Sequence, residues 1–213
     1  MLDSRAVAED LRPALWDDLP EKQIQMLKAA LDVFRVRGFH EAKVEDIAVA
    51  AGVGKGTIYE YFENKTDLFE QTVKYHLGRF WRQAAEYILA GSDARDKIRR
   101  IIESQAAMIS GENAITFLVL NDPEPVSVEL KHWAWSHRAR FIHDALARII
   151  QQGVDEGSLR PVDTCVASCF LFSMLHVMLS TYRISCLEPG AGGTPVESIA
   201  GKVMDLLMHG LSA

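Results

Sequence analysis

The residues best suited to contact another molecule form one short stretch, Lys55-Gly56-Thr57-Ile58-Tyr59. Lys55 and Thr57 can donate hydrogen bonds to base edges or to phosphates. Tyr59 can place its ring against a sugar or a thymine methyl group and its hydroxyl on a phosphate. Gly56 lets the backbone approach a ligand closely, and Ile58 can anchor the stretch on its inner side. These residue types predict a segment that contacts nucleic acid on one side and the protein core on the other.

The surrounding residues predict two short helices joined by a tight turn. Residues 44–51 form the first helix, residues 52–54 the glycine-containing turn and residues 55–62 the second helix. A longer helix at 21–37 precedes them and ends at Gly38, as expected just past a helix terminus. The inward positions of the two short helices are Val44, Ile47, Ala48, Ile58 and Phe62, and the apolar stripe of the longer helix is Ile24, Leu27, Leu31 and Phe34. This order is typical of a helix-turn-helix, whose second helix enters a major groove about 12 Å wide.

The rest of the chain shows helical periodicity between breaks rich in glycine, proline and asparagine. One helix begins near Asn64, which can cap it, and Asp67 follows three residues later. The expected helices are about 64–90, 93–110, 113–120, 125–156, 163–187 and 195–209. The sequence therefore predicts an all-α fold of about nine helices. Its predicted divisions are a leader at 1–20, a helix-turn-helix domain at 21–66 and a larger helical domain at 67–213.

Residues 52–68, Gly-Val-Gly-Lys-Gly-Thr-Ile-Tyr-Glu-Tyr-Phe-Glu-Asn-Lys-Thr-Asp-Leu, closely resemble the signature of the tetracycline-repressor (TetR) family. The segment 44–48 and the end of the first helix, at 34–39, match the same pattern. The resemblance covers residues 22–68, and the remainder agrees in length and helix count. By this resemblance, the groove contacts would be Lys55, Gly56, Thr57 and Tyr59, and contacts to the phosphate backbone would come from Tyr61, Lys65, Lys43 and Val44.

The chain departs from the family pattern at several of these positions. Gly54 stands where serine is common and Lys43 where threonine is common, so two hydroxyl caps are missing. Glu60 and Glu63 place negative charge near the expected DNA. These departures leave the motif recognisable, but they leave the operator sequence and the affinity open.

Charge alone argues weakly against a nucleic-acid partner. The chain has a net charge of −6 and a sequence pI of about 5.6, whereas phosphate contacts favour basic proteins. Most of the excess acid lies outside residues 21–66, where basic and acidic residues balance. A dimer that makes few phosphate contacts, with a modest salt dependence, is consistent with this balance.

The larger domain is rich in aromatic, sulfur and imidazole side chains on predicted helices. Such groups suit an adaptable pocket for a small apolar guest. The same helical spacing is also what an ordinary core shows, so both interpretations stay open. The candidate pocket residues are Phe117, Trp133, His137, Met174, His176, Met178 and Tyr182.

Three cysteines, Cys165, Cys169 and Cys186, cannot all pair within one chain. Their apolar surroundings predict reduced, buried thiols. Cys165 and Cys169 are four residues apart on one helix face, so a redox or metal sensor is the alternative. The histidines within 132–143 lack the i,i+4 spacing of a helical metal site, so no metal and no cofactor is assigned. The acidic N-terminus has no signal-peptide pattern, which predicts a cytoplasmic protein.

Residues 164–182 contain no charged side chain, and their length approaches that of a membrane span. Serine, threonine and histidine interrupt this stretch, which favours a helix buried among other helices, so no membrane partner is expected. A helix this apolar near the end of the chain needs a partner. In the TetR family the corresponding last two helices pair with a second copy. A homodimer through 163–187 and 195–209 is therefore expected.

The sequence thus predicts a dimeric transcription regulator that binds a double-stranded DNA operator. The favoured interpretation is a repressor that a small apolar or aromatic effector releases from DNA. The alternative is a ligand-insensitive DNA-binding factor with an architectural or division role on the same fold. An enzyme is disfavoured because no nucleophile–base pair is evident, and Gly52-Val-Gly-Lys-Gly lacks the spacing of a P-loop.

Overall fold

The computed structural model describes residues 19–107 and 127–187, residue 201 and residues 203–205. Over this part of the chain the structure is helical and contains no strand, so the predicted all-α fold is confirmed. The helices are α1 (Glu21–Glu41), α2 (Val44–Ala50), α3 (Lys55–Tyr61), α4 (Lys65–Leu89), α5 (Ala94–Ala107), α6 (Val128–Asp155) and α7 (Thr164–Leu187).

Some predicted segments fall outside the described residues. The helix expected at 113–120 and nearly all of the leader at 1–20 belong to this group. Of the helix expected at 195–209, residues 201 and 203–205 are described, and they are helical.

The buried face of α1 differs slightly from its predicted stripe. Leu27 and Phe34 are fully buried, as expected. Ile24 and Leu31 are only half-buried, because the inner face is centred on Met26, Ala30 and their neighbours, which are also fully buried. Positions 26, 27, 30 and 34 lie within roughly 100° of one another around a helix, and positions 24 and 31 lie roughly 40–60° beyond that arc.

The direction of α1 breaks at Gly38, where the sequence predicted its end. Gly38 has φ 70° and ψ 174°, a conformation that strongly favours glycine. The chain then places Phe39, which is half-buried, with its ring centroid 6.0 Å from that of Phe34 and 5.2 Å from that of Phe69 of α4. These three rings join α1 to the start of α4.

The start of α4 is capped as the sequence predicted. Asn64 Oδ1 accepts a hydrogen bond from the Asp67 amide at 2.9 Å, and Asp67 Oδ2 accepts one from the Glu63 amide at 2.9 Å. Both bonds satisfy amides that the helix itself leaves without partners. The orientation of α4 as it leaves the third helix is therefore set by local hydrogen bonds.

The chain divides into two compact units, and one boundary falls inside α4, between Phe80 and Trp81. Among the described residues, 19–80 and 127–136 form the N-terminal unit. Residues 81–107 and 137–187 belong to the C-terminal unit. In the C-terminal unit α5 packs against α7. The core of that unit includes Ile98, Ile101, Ile102, Leu146, Ile150, Leu171 and Leu175.

The helix α7 buries one face and exposes another. Ser168, Leu171 and Leu175 point inward, whereas Cys165 and Cys169 are exposed. The prediction of buried thiols is therefore wrong for these two cysteines, because α7 packs through positions 168, 171 and 175 and the helical repeat places 165 and 169 away from that face. The side chain of Cys186 lies outside the described residues. Among the described helices, none combines the length and the apolar character needed to cross a bilayer.

Gly153 of α6 provides a test of how α6 packs against Ala94 and Leu159. A methyl group added there would lie 2.7 Å from Leu159 Cγ and 2.9 Å from Ala94 Cβ, and both neighbours are buried. We expect Gly153→Ala to lower the free energy of unfolding by about 1–3 kcal/mol, measured by chemical denaturation. Gly56→Ala is the matched control in another helix, since its methyl group meets no atom within 4 Å. Equal stability of the two variants would contradict the packing at Gly153.

Candidate nucleic-acid interface and regulatory site

The short helix α3 is held by its apolar underside. Ile58 is 1% exposed, and Ile47 of the neighbouring α2 is fully buried. The helix α2 packs against both α1 and α3. Phe62, directly after α3, is also 1% exposed. The inward positions predicted for these helices, including Val44 and Ala48, are thus confirmed as buried.

The turn between α2 and α3 is closed by hydrogen bonds. Gly52 has φ +65°, which strongly favours glycine. The Val53 amide donates to Ala48 O at 2.9 Å, and Gln25 Nε2 of α1 donates to Ala51 O at 2.9 Å. No side chain caps α3 at Gly54, in agreement with the missing hydroxyl, and the Thr57 amide donates to Gly54 O instead.

The opposite side of α3 faces solvent. Lys55 and Gly56 are exposed, Tyr59 is 46% exposed and Thr57 is half-buried. Gly56 has open space around it, so nothing in the described chain requires glycine there. The polar side of α3 is therefore accessible to a ligand, while its apolar side is locked to the protein.

Lys55 has a partner that the sequence did not reveal. Its Nζ donates to Glu45 Oε1 of α2 at 2.5 Å and lies 5.9 Å from the centre of the Tyr59 ring. The hydrogen bond between the two side chains raises the pKa of Lys55 and lowers the pKa of Glu45. Because both side chains are exposed, water competes for this pair, and an anion can replace the carboxylate at low cost.

The remaining predicted DNA-contacting residues differ in accessibility. Lys43 is exposed, and it does not cap α2. Val44 is 6% exposed, so only its main chain is available at the start of α2. Tyr61 is half-buried, with its ring centroid 6.5 Å from that of Phe62. Lys65 donates from Nζ to His40 O at 3.0 Å and lies over the ring of Phe39, so its own unit already engages it.

The predicted pocket residues are only partly described. Phe117 lies outside the described residues, as do the side chains of Met178 and Tyr182. Trp133 is half-buried in the N-terminal unit, whereas His137, Met174 and His176 are half-buried in the C-terminal unit.

Aromatic contacts accompany two of these residues in the C-terminal unit. The ring of His137 stacks on Trp81 with centroids 6.2 Å apart, and the ring of His176 stacks on Phe172 at 6.3 Å. Trp81 is 2% exposed. These two ring contacts belong to the packing of the C-terminal unit, and the role of the residues in a pocket stays a prediction.

Arg138 is a half-buried cation that sequence reasoning did not single out. Its Nε donates to Gln105 Oε1 at 3.0 Å, and its Nη1 lies 3.3 Å from His176 Nδ1, which can only act as the acceptor. Burial lowers the pKa of Arg138. Within the described residues, none of the ion pairs involves this guanidinium, although buried charges are normally paired.

Comparisons with known proteins agree with this geometry. Residues 26–72 match the family "bacterial regulatory proteins, tetR family", and residues 91–211 match the family "tetracyclin repressor-like, C-terminal domain". A fatty acid metabolism regulator protein of Bacillus subtilis (strain 168) is 24% identical over 191 residues. The match covers 89% of this chain and 95% of that protein.

Solved structures share the fold. The transcriptional regulator FadR from Bacillus subtilis, in complex with stearoyl-CoA, aligns with a TM-score of 0.63 at 23% identity, covering 88% of this chain and 98% of that chain. AibR in complex with isovaleryl coenzyme A and operator DNA aligns with a TM-score of 0.56 at 19% identity, covering 87% and 97%. Because the second family match spans more than half of the chain, this protein belongs to the tetracycline-repressor family of DNA-binding transcription regulators.

Proposed function

We propose that this chain is a homodimeric repressor that binds its operator through α3 and leaves DNA when an effector binds in the C-terminal unit. The observation that carries the proposal is the two-sided character of α3. Its underside is buried at Ile58, and its exposed side presents Lys55, Gly56 and Tyr59. A short helix held rigidly in this way can enter the major groove.

On DNA, Lys55 exchanges Glu45 for a phosphate or a base edge. Both members of the pair are exposed, so the exchange replaces one charge-assisted hydrogen bond by another. Gly56 allows the backbone of α3 to approach the bases, with Thr57 and Tyr59 beside it. Lys43, the main chain of Val44, Tyr61 and Lys65 provide the contacts to phosphates. AibR, which shares this fold, is bound to operator DNA in its solved structure, and this supports DNA binding by a protein of this fold.

The outer face of α7, formed by Val166, Phe170 and Val177, supports a dimer. These three side chains are 62–65% exposed and follow the helical repeat along one side. Exposed apolar groups in a row favour association. A two-fold dimer through this face would present two copies of α3 to half-sites about 34–36 Å apart.

Arg138 indicates the chemistry of the effector. A half-buried guanidinium whose described partners are the neutral side chain of Gln105 and His176 Nδ1 gains from an anionic group on a ligand. The neighbouring aromatic side chains suit an apolar body. An acyl-CoA combines both features. The solved structure of FadR contains stearoyl-CoA and that of AibR contains isovaleryl coenzyme A. We therefore assign an acyl thioester as the class of effector.

Release follows from a shift between two conformations. The effector binds more tightly to the conformation in which the two α3 helices do not fit the operator. The free energy of DNA binding is then weakened by the difference between the effector's binding free energies for the two conformations. The helix α4, which begins at the Asn64 cap beside α3 and continues for 25 residues, is the element through which this change reaches α3.

Gly56→Ala should separate DNA binding from folding. Alanine favours a helix over glycine by about 1 kcal/mol, and the methyl group has open space, so stability is retained or raised. Operator affinity should fall about tenfold or more because the methyl group blocks close approach to the bases. Thermal melting measures the stability of the variant. Gel-shift assays measure its affinity for a DNA fragment that the wild-type protein selects from a genomic library. Full affinity in the folded variant would contradict the role of α3.

The charged part of the same interface is tested by Lys55→Ala. Each lost phosphate contact should reduce the slope of log affinity against log salt by about one. Arg160→Ala, which removes an exposed charge from the C-terminal unit, is the matched control. Identical slopes for the two variants would show that Lys55 does not contact phosphate.

Phe170→Glu should convert the dimer to a monomer at micromolar concentration, because the substitution places like charges on both copies of a self-complementary apolar face. Sedimentation equilibrium measures the mass. Val36→Glu, at an apolar residue of α1 that is 78% exposed, is the control and should remain dimeric. A dimeric Phe170→Glu protein would place the interface elsewhere.

Arg138→Gln should bind the operator normally and respond to effector about tenfold less well, because it removes a charge-assisted hydrogen bond to the anion. Release from DNA is measured with stearoyl-CoA, isovaleryl-CoA, stearate and free coenzyme A. Arg140→Gln changes the exposed arginine two residues further along α6 and is the control. If wild type and Arg138→Gln respond equally to every probe, Arg138 does not bind the effector.

A further inference from the structure

Three potential metal ligands come together where α6 meets α7. His143 of α6 and Cys165 and Cys169 of α7 each offer one ligand atom, and these atoms all lie within 4.8 Å of one another. The two cysteines are one helical turn apart, so their sulfur atoms lie on the same side of α7. The histidine comes from another helix, 22 residues before Cys165, so local spacing along the sequence does not reveal the group.

The side chains are free to close around an ion. Zinc bonds to sulfur at about 2.3 Å and to nitrogen at about 2.0–2.1 Å, so ligand atoms around it are about 3.5–3.8 Å apart. Cys165 and Cys169 are exposed, and His143 is half-buried. Small rotations of two exposed thiol groups can therefore reduce the separations from 4.8 Å without disturbing the core.

Neighbouring groups restrain the ring of His143. Its Nε2 lies 3.1 Å from Ser168 Oγ, and its Nδ1 lies 3.4 Å from Asp144 Oδ1. The Ser168 hydroxyl also contacts Cys165 O at 3.0 Å, so it is itself held on α7. A metal-bound histidine coordinates through one ring nitrogen and keeps a hydrogen-bond partner on the other. Zinc would therefore replace one of these two contacts, and the contact that remains would orient the ring.

Two sulfur atoms and one imidazole ring suit a borderline-soft divalent ion. A divalent ion would stabilise both thiolates and relieve their mutual repulsion, and thiolate with imidazole is a ligand set that suits zinc.

We propose that Cys165, Cys169 and His143 bind one zinc ion, with the fourth position open to solvent. Both cysteines lose their thiol protons to the solvent on binding, and no electron is transferred. The ion would link α6 to α7 beside the outer face formed by Val166, Phe170 and Val177, at the edge nearest α6. The site is independent of the acyl thioester assignment, since Arg138 is not one of its ligands.

Metal titration of the full-length reduced protein tests this proposal. We expect one equivalent of Zn²⁺ by native mass spectrometry, and with Co²⁺ the charge-transfer absorption of two cobalt–thiolate bonds. At about 100 times its dissociation constant, zinc should raise the melting temperature by about 5–10 °C. Mg²⁺, which prefers oxygen ligands, should have no effect.

Three variants make the test specific. Cys165→Ser and Cys169→Ser should each halve the cobalt–thiolate absorption and weaken zinc binding at least tenfold, and His143→Asn should weaken binding while retaining the absorption. Cys186→Ser is the matched control, since residue 186 lies about 30 Å further along α7 by helical rise. Absence of stoichiometric zinc binding, or equal binding by the Cys165→Ser/Cys169→Ser double variant, would overturn the proposal.

Discussion

The buried underside of α3 is the interaction on which the DNA-binding unit depends. A helix of seven residues has too few internal hydrogen bonds to be stable alone in water. Ile58 and Phe62, each 1% exposed, provide the tertiary contacts that hold it. Because these contacts occupy one side only, the other side stays exposed in a fixed orientation. Rigidity and accessibility of α3 thus have the same physical origin.

Charge at this interface is balanced within the protein itself. Lys55 is paired with Glu45, Arg37 forms an ion pair with Asp46, and Lys65 donates to a main-chain oxygen. The contacts of Lys55 and Lys65 make non-specific attraction to phosphates weaker, since a phosphate must replace Glu45 at Lys55 and the His40 oxygen at Lys65. Specific contacts that fit the groove gain relative importance, which is consistent with a regulator whose net charge is −6.

In the C-terminal unit, α6 provides one polar side chain to the proposed effector site and another to the proposed zinc site. Arg138 and His143 are five residues apart on this helix; Arg138 contacts Gln105 and His176, whereas His143 contacts Ser168. Both sites therefore involve α6 and α7, the helix whose outer face we assign to the dimer. A zinc ion or an anionic effector that changes how these two helices pack against each other would also affect the position of that face.

The sequence by itself determined the features that depend on local order: the helix-turn-helix pattern, the break at Gly38 and the Asn64 cap. These follow from periodicity and from hydrogen bonds within a few residues. The inner face of α1, the exposure of Cys165 and Cys169, and the neighbours of Arg138 and His143 were decided by tertiary structure alone. The physical reason is that the contacts of Arg138 and His143 join residues 25–38 positions apart, and helix packing, which local spacing does not encode, selects them.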